Sequence, residues 1–166
     1  MARGGKARVD MKIGVISDTH GLLHPEAEQR LAGVAHIIHA GDIGKPDVIA
    51  RLCRIAPVTA IRGNVDTGPW AEAYPETTTV TLGGRRIYVL HNLHDLQLDS
   101  AFAGIDVVVS GHSHRAEIKT VQGVLYLNPG SAGPRRFKLP ITLAILDVTE
   151  SGVRPTLHDL GSGSAA

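Results

Sequence analysis

Lys12-Ile13-Gly14-Val15-Ile16-Ser17-Asp18-Thr19-His20 decides the fold class: an apolar run that ends on a serine, a carboxylate and an imidazole. The run reads as a buried strand, and its polar end is where open α/β sheets bind ligands. The pattern recurs downstream. Ile37-Ile38 runs into Gly41-Asp42, and Val58 to Ile61 into Gly63-Asn64-Val65-Asp66. Arg85 to Leu90 ends at His91-Asn92, and Asp106 to Ser110 at Gly111-His112-Ser113-His114. Core packing gives five strands no reason to deliver Asp, His, Asn and Gly to one edge. A ligand site does.

Between these strands the punctuation is helical. Pro25 opens Glu26 to Ala32 with early acids and Gly33 as the stop, and Pro46 opens a helix to about Arg54. His36 to His39 is the second strand. The second half is hairpins: Thr77 to Leu82 and Arg85 to Leu90 around Gly83-Gly84, Glu117 to Val121 and Val124 to Leu127 around Gln122-Gly123, Ile141 to Val148 and Val153 to Leu160 around Ser151-Gly152. Ile105 to Val109 is a short buried strand. This order, βαβαβ and then mostly β, predicts an α/β domain of two packed mixed sheets with helices outside. The domain is expected over residues 11–160, with loose tails at 1–10 and 161–166.

At 166 residues with 43% hydrophobic content, one such domain fills the chain and builds a core without staples. A formal net charge of +1 gives no global case for nucleic acid or a membrane surface. No apolar run reaches the ~18 residues of a membrane span, and residues 1–10 lack the apolar segment of a signal peptide. Cys53 is the only cysteine, so no intrachain disulfide forms and a reducing, cytoplasmic location is expected.

The donors at the strand ends form a coherent set. Asp18 and His20 are one residue apart, as are His112 and His114, a spacing that in extended backbone sends both side chains to one side. Carboxylate, imidazole and amide oxygen without thiolate suit Mn²⁺, Fe²⁺, Zn²⁺, Co²⁺ or Ni²⁺ and fit poorly with a structural zinc site. The donors are too many for one ion; two ions sharing a carboxylate, ~3.5–4 Å apart, use them economically.

Asp18-x-His20, Gly41-Asp42, Gly63-Asn64, a strand-terminal His91 and Gly111-His112-x-His114, in that order, resemble the calcineurin-like metallophosphoesterases. Asn128-Pro129-Gly130-Ser131 with Pro134-Arg135 is similar to their small single-domain bacterial and archaeal phosphodiesterase branch, which is related in fold to a retromer scaffold subunit. The resemblance covers about Met11 to Leu160. It implies a four-layer α-β-β-α sandwich with a dinuclear centre, most simply Mn²⁺, with Ni²⁺, Zn²⁺, Fe²⁺, Co²⁺ or Mg²⁺ as alternatives. Carried over by position, Asp18, His20 and His114 bind one metal, Asn64, His91 and His112 the second, and Asp42 bridges them. The implied reaction is hydrolysis of a phosphate ester by a metal-bridging hydroxide, with Asp42, Asn64 and His20 at the reacting atoms. The rivals are a protein-binding scaffold of the same fold, or a phosphomonoesterase or nuclease using the same centre.

The chain departs from the family twice. Asn92-Leu93-His94 stands where the family usually has Gly and often a further His, so His94 is a candidate to reach back as a replacement. Val65 follows Asn64 where phosphoprotein phosphatases carry His; a side chain without a proton cannot protonate a poor leaving group, which favours diesters. The general acid stays open among His20, His94 and metal-bound water. Asp66 either supports the site catalytically or caps a loop, and His39 either orients a ligand carboxylate or is a strand histidine bonded to backbone. His24, His36 and His158 read as surface or strand-end residues, Cys53 as core, Trp70 as an anchor for its own loop, and Arg135 and Arg136 as salt-bridging rather than phosphate-binding. The expected partner is a phosphate-ester small molecule, and a homodimer or homotetramer through the β-rich half suits the fold.

Overall fold

The computed structural model describes residues 9–97, 103–135 and 138–161. Of the expected tails at 1–10 and 161–166, residues 1–8 and 162–166 lie outside the described residues, as does Arg136. The first half is β1 (Val9–Ile16), α1 (Pro25–Leu31), β2 (His36–His39), α2 (Pro46–Cys53) and β3 (Val58–Ala60). The second is β4 (Thr77–Leu82), β5 (Arg85–Leu90), β6 (Val107–Val109), β7 (Glu117–Val121), β8 (Val124–Asn128), β9 (Thr142–Thr149) and β10 (Gly152–Asp159). Two 3₁₀ turns, Pro69–Ala73 and Leu93–Asp95, were not foreseen.

The strands make two mixed five-stranded sheets, β10-β9-β1-β2-β3 and β4-β5-β6-β8-β7. Each contains a parallel trio, β1-β2-β3 along one side of the first and β5-β6-β8 in the middle of the second. Parallel strands end together, so each trio brings its carboxyl-end loops to one edge. The period-two alternation sorts side chains into three apolar clusters. Ile13, Val15 and Ile38 meet Ile87, Val89, Val107 and Val109 between the sheets. Ile16 and Ile37 face the other way, onto Ala27 and Leu31 of α1 and Val48 and Leu52 of α2. Tyr88, Leu90 and Val108 face outward on the second sheet, where Leu93 and Leu96 pack on them. Hence helices cover the first sheet, and the Leu93–Asp95 turn covers part of the second. Burying each large aliphatic side chain is worth about 1.5–3 kcal/mol; the cluster between the sheets holds them together, and the other two fasten the helices and the turn to their outer faces.

Local signals explain most boundaries. Proline opens both helices, and the hairpin turns Gly83-Gly84 and Gln122-Gly123 have positive φ throughout (58° and 82°; 51° and 83°), the backbone a two-residue type I′ turn requires. Two expectations need correction. The first strand starts at Val9, within the stretch read as tail, because Val9 pairs with Thr149 ahead of a register shift at Met11. Cys53 is exposed, not core. The buried stripe of α2 is Val48, Ile49 and Leu52, and at 3.6 residues per turn Cys53 lies about 90° round the helix from its centre. Trp70 is half-buried, packed against the helical cluster and edge-on to Tyr74 at 6.3 Å, as an anchor of its own loop. Among the described residues no helix is long and apolar enough to cross a membrane.

Candidate metal centre

Beyond β1 the chain stitches itself to the loop after β2. Asp18 N–H donates to the Gly41 carbonyl (2.9 Å), His20 N–H to Asp42 (2.9 Å) and Gly21 N–H to Ile43 (2.7 Å). This stitching forces unusual backbone. Asp18, His20, Asp42, His112 and His114 have φ of 56°, 48°, 57°, 73° and 64°, and the only other described non-glycine residue with positive φ is Gln122 in a hairpin. Among non-glycine residues, left-handed backbone is tolerated best by Asn, Asp and His, and clusters where a site demands it. Asp18/His20 and His112/His114 therefore converge through paired left-handed residues, not through the strand alternation expected from their spacing.

The donors meet in the interior. Asp18 is fully buried. Its Oδ2 accepts from Ser17 Oγ (2.8 Å) and from the His112 backbone N–H (3.1 Å). Its Oδ1 is buried with no hydrogen-bond partner, facing the Nε2 atoms of His114 (3.5 Å), His91 (3.8 Å) and His20 (3.9 Å). Asp42 repeats the division of labour: Oδ1 accepts from Val65 N–H (3.1 Å), while Oδ2 stands 3.2 Å from His91 Nε2 and 3.6 Å from His20 Nε2. Donors on one ion at ~2.1 Å stand roughly 3.0–3.5 Å apart, close to these separations. Two donor groups result, Asp18-His20-His114 and Asp18-Asp42-His91.

Protonation follows from the same contacts. Burial raises the Asp18 carboxyl to about 6, against the opposing pull of His91 and the Ser17 hydrogen bond. Burial works against ionised Asp42 too, but the His91 hydrogen bond and charge, with the Val65 amide and His20, outweigh it and hold Asp42 below its usual value. For His91, burial opposes the charged form and is outweighed by Asp42, the Ala40 carbonyl and Asp18, so its pKa is raised. Because a carbonyl only accepts, His91 Nδ1 carries the proton donated to Ala40 O (2.8 Å). Charged His91 therefore donates from Nε2 toward Asp42; a cation taking the place of that proton would meet the Nε2 lone pair, with Nδ1–H still held on Ala40 O as in metal-ligating histidines.

Asn64 and His112 are exposed at the mouth; His112 is outside both carboxylate–imidazole groups, although its ring lies edge-on to His91 at 5.2 Å. Both line the cleft that opens on the centre, as does exposed His94 on the Leu93–Asp95 turn. Asn92 caps that turn through Oδ1, which accepts from His94 N–H (3.1 Å), so the departure from the family pattern is itself a stable local structure. Asp66 does not reach the centre. Its carboxylate accepts from the amides of Ile43 (2.9 Å), Gly44 (2.9 Å) and Gly63 (2.8 Å), clamping the loops that present Asp42 and Asn64. It is a positioning residue. His39 is fully buried; it accepts from Gly41 N–H at Nδ1 (3.1 Å) and meets Thr19 Oγ1 at Nε2 (3.0 Å). The Thr19 hydroxyl proton goes to Ile43 O (2.9 Å), so His39 is the Nε2–H tautomer. Burial and then His91 push its pKa down to about 3. It braces loop backbone and does not orient a ligand carboxylate.

Other residues escaped the sequence reading. Ser17 precedes Asp18 and Thr19 sits between Asp18 and His20, and only a hydroxyl flanking a candidate ligand could have flagged them. The Asn128-Pro129-Gly130-Ser131 stretch, quoted from the sequence for its resemblance alone, buttresses the centre: Asn128 Nδ2 donates to Gly111 O (3.0 Å) and Ser131 Oγ to Asp18 O (3.0 Å). His24 bonds to Gly133 O, His36 to Thr59 and His158 to Arg30, all away from the donor groups. Arg135 is exposed beyond the glycine loop.

A buried carboxylate oxygen without a hydrogen bond, ringed by imidazole nitrogens, is costly unless a cation joins them. Oxygen and nitrogen donors without thiolate suit a divalent metal of the borderline series. The residues fit such an ion.

The chain is similar to proteins already known. Residues 11–151 match the family model described as calcineurin-like phosphoesterase superfamily domain. The chain is 32% identical over 147 residues to a probable metallophosphoesterase of Methanothermobacter thermautotrophicus, covering 81% of this chain and 85% of that protein. Its structure is similar to that of an archaeal phosphodiesterase, with TM-score 0.72 at 27% identity over 89% of this chain and 100% of the other. It also shares the fold of Vps29 from Chaetomium thermophilum, with TM-score 0.72 at 21% identity over 91% and 98% of the two chains.

Proposed function

Because the chain belongs to the calcineurin-like phosphoesterase superfamily, we propose that it hydrolyses phosphodiesters at a centre for two divalent ions, Mn²⁺ favoured. One observation supports the reading above the others. Asp18 Oδ1 is buried without a hydrogen-bond partner, three histidine Nε2 atoms face it within 3.9 Å, and Asp42 Oδ2 stands between His20 and His91. Asp18, His20 and His114 would hold one ion and Asn64, His91 and His112 the other, with Asp42 between. Asp18 belongs to both donor groups, which makes it a second candidate for the shared carboxylate. Two such ions lower the pKa of water and neutralise charge on a phosphate ester.

The protein's own part is to hold donors ready. Ser17 and the His112 amide occupy one oxygen of Asp18 and leave the other for the centre. Ala40 fixes the His91 tautomer, and Asp66 fixes the loops bearing Asp42 and Asn64. Exposed Val65, beside Asn64, has no proton for a departing alkoxide, which favours diesters and good leaving groups over phosphoproteins. The single cysteine suits a cytoplasmic location. The fold shared with Vps29 keeps a protein-binding scaffold in view, and Leu22 and Val65 are among the exposed large hydrophobic residues such a scaffold could use. A scaffold has no need of competent donors at Asp18, His20, Asp42, Asn64, His91, His112 and His114, and all seven are present.

The test is hydrolysis of bis(p-nitrophenyl) phosphate and p-nitrophenyl phosphate by metal-stripped protein, with Mn²⁺, Ni²⁺, Zn²⁺ or Mg²⁺ returned. We expect metal-dependent turnover that prefers the diester and falls about 10²–10³-fold or more in Asp42→Ala and His112→Ala. Monoester preference would replace the diesterase reading with a phosphatase one. No turnover of either ester by folded protein with any metal would favour the scaffold.

A further inference from the structure

A cleft of about 1180 Å³ opens at His91, His112 and Asn64 and runs from the centre along the outer face of the second sheet. Its lining follows from strand alternation. Ile87 and Val89 of β5 enter the core between the sheets, which turns Tyr88 and Leu90 outward, where Leu96 joins them. Thr77 and Thr79 of β4, both exposed, pair with Leu90 and Tyr88 and set hydroxyls beside the ring. Glu76, Asp95 and Gln97 complete the lining at the polar rim.

Size and charge narrow the occupant. Sites for whole organic ligands run to about 300–1,000 Å³, so this cleft far exceeds what a phosphate group needs. Among its lining residues Arg62 is the only lysine or arginine, and it is engaged with the Tyr74 carbonyl and with Glu76 Oε2 (3.5 Å). With Glu76 answering Arg62, exposed Asp95 leaves the lining without a surplus of lysine or arginine charge, which disfavours a polyanionic strand. A tyrosine ring over leucines instead suits a planar ring, and neighbouring carboxylates and hydroxyls suit a partner rich in N–H and O–H donors.

We propose that this cleft binds the alcohol half of the substrate, and that this half is uncharged, carries a planar ring and bears hydrogen-bond donors. That is the nucleoside class, presented as a single nucleoside phosphodiester rather than a nucleic-acid strand or a phosphomonoester. The proposal rests on the phosphodiesterase reading. The Tyr88 ring stacks on the base, and Thr77, Thr79 and Asp95 take hydrogen bonds from sugar and base.

The experiment compares thymidine 5′-(p-nitrophenyl phosphate) with methyl p-nitrophenyl phosphate on Mn²⁺-loaded protein. The departing phenolate is the same, so only the retained alcohol differs. We expect kcat/KM for the nucleoside ester to be at least about tenfold higher, mostly through KM, since stacking of one base is worth about 1–3 kcal/mol. Tyr88→Ala, and separately Asp95→Asn at an exposed position that keeps the fold, should each bring the nucleoside ester down toward the methyl ester. Equal kcat/KM for the two esters, or a preference that survives both substitutions, overturns the nucleoside assignment and leaves the phosphodiesterase reading standing. Turnover of neither ester with any metal overturns both.

Discussion

Asp18→Asn is expected to make the metal-free protein more stable at pH 7.5 while abolishing its response to metal. Burial raises the Asp18 carboxyl to about 6 from an ordinary 3.8. The native metal-free state thus binds this proton more tightly than the unfolded chain does. Its stability declines as pH rises from about 4 to about 6 and stays lowered above that, a penalty of about 1–3 kcal/mol at pH 7.5. An asparagine escapes it. The amide oxygen takes the place of Oδ2, accepting from Ser17 Oγ and His112 N–H, and the amide NH₂ takes the place of Oδ1, facing the Nε2 atoms of His114 and His91.

The expected gain in the metal-free midpoint is roughly 3–10 °C at pH 7.5, shrinking toward zero near pH 4. Saturating Mn²⁺, at about a hundred times Kd, should stabilise the parent by about 2.7 kcal/mol and the variant scarcely at all, because an amide cannot replace the anionic ligand. Phosphodiester hydrolysis should fall by about three orders of magnitude or more. Thermal melts with and without metal at pH 4.5 and 7.5 check the prediction. A variant less stable than the parent without metal, or one that keeps the metal-induced shift, would contradict it.

Gly44→Ala should be the most damaging small substitution near the site. Gly44 has φ of +93°, and a Cβ there would lie 2.2 Å from Gly21 N, 2.4 Å from His20 C and 2.8 Å from His20 Cα. All three are backbone atoms, and the segment is held by Gly21 N–H to Ile43 O and by Gly44 N–H to Asp66 Oδ1. No rotamer change relieves the clash, so His20 must move. Strain and overpacking together cost about 3–5 kcal/mol, or roughly 10 °C in the melting midpoint, with weaker metal binding besides. Gly33→Ala is the matched control: φ is +89°, but nothing lies within 4 Å of the added Cβ. It should cost only the left-handed conformation, about 1–2 kcal/mol. Equal destabilisation in the two variants would show that the close approach at Gly44 has no consequence.

The fold was legible where its signals are local. Prolines opening the helices, two-residue hairpin turns and alternating apolar strands each declare themselves within a few residues, and β2, β4, β5 and β7 fall where the sequence puts them. The candidate donors were legible for a different reason: Asp, His and Asn recur after apolar runs, and parallel strands carry those ends to one edge. What stayed hidden depends on long-range contacts. The left-handed backbone of Asp18 and His20 is imposed by carbonyls of Gly41 and Asp42. Asp66 looks like a turn residue until amides from a loop some twenty positions earlier converge on it. His39 becomes a brace only because Thr19 and Gly41 are folded against it. Cys53 was misplaced because the buried stripe of α2 is narrow and ends a residue before it.

The account stands on the donor constellation around Asp18 and Asp42, and counting the ions it holds tests that most directly. Metal-free protein titrated with Mn²⁺ at pH 7.5 in a calorimeter, with elemental analysis after gel filtration, should take up two ions per chain. His91→Ala and His114→Ala should each reduce the count to one or fewer. A folded protein that takes up no Mn²⁺, Zn²⁺ or Ni²⁺ at millimolar concentration would contradict the account.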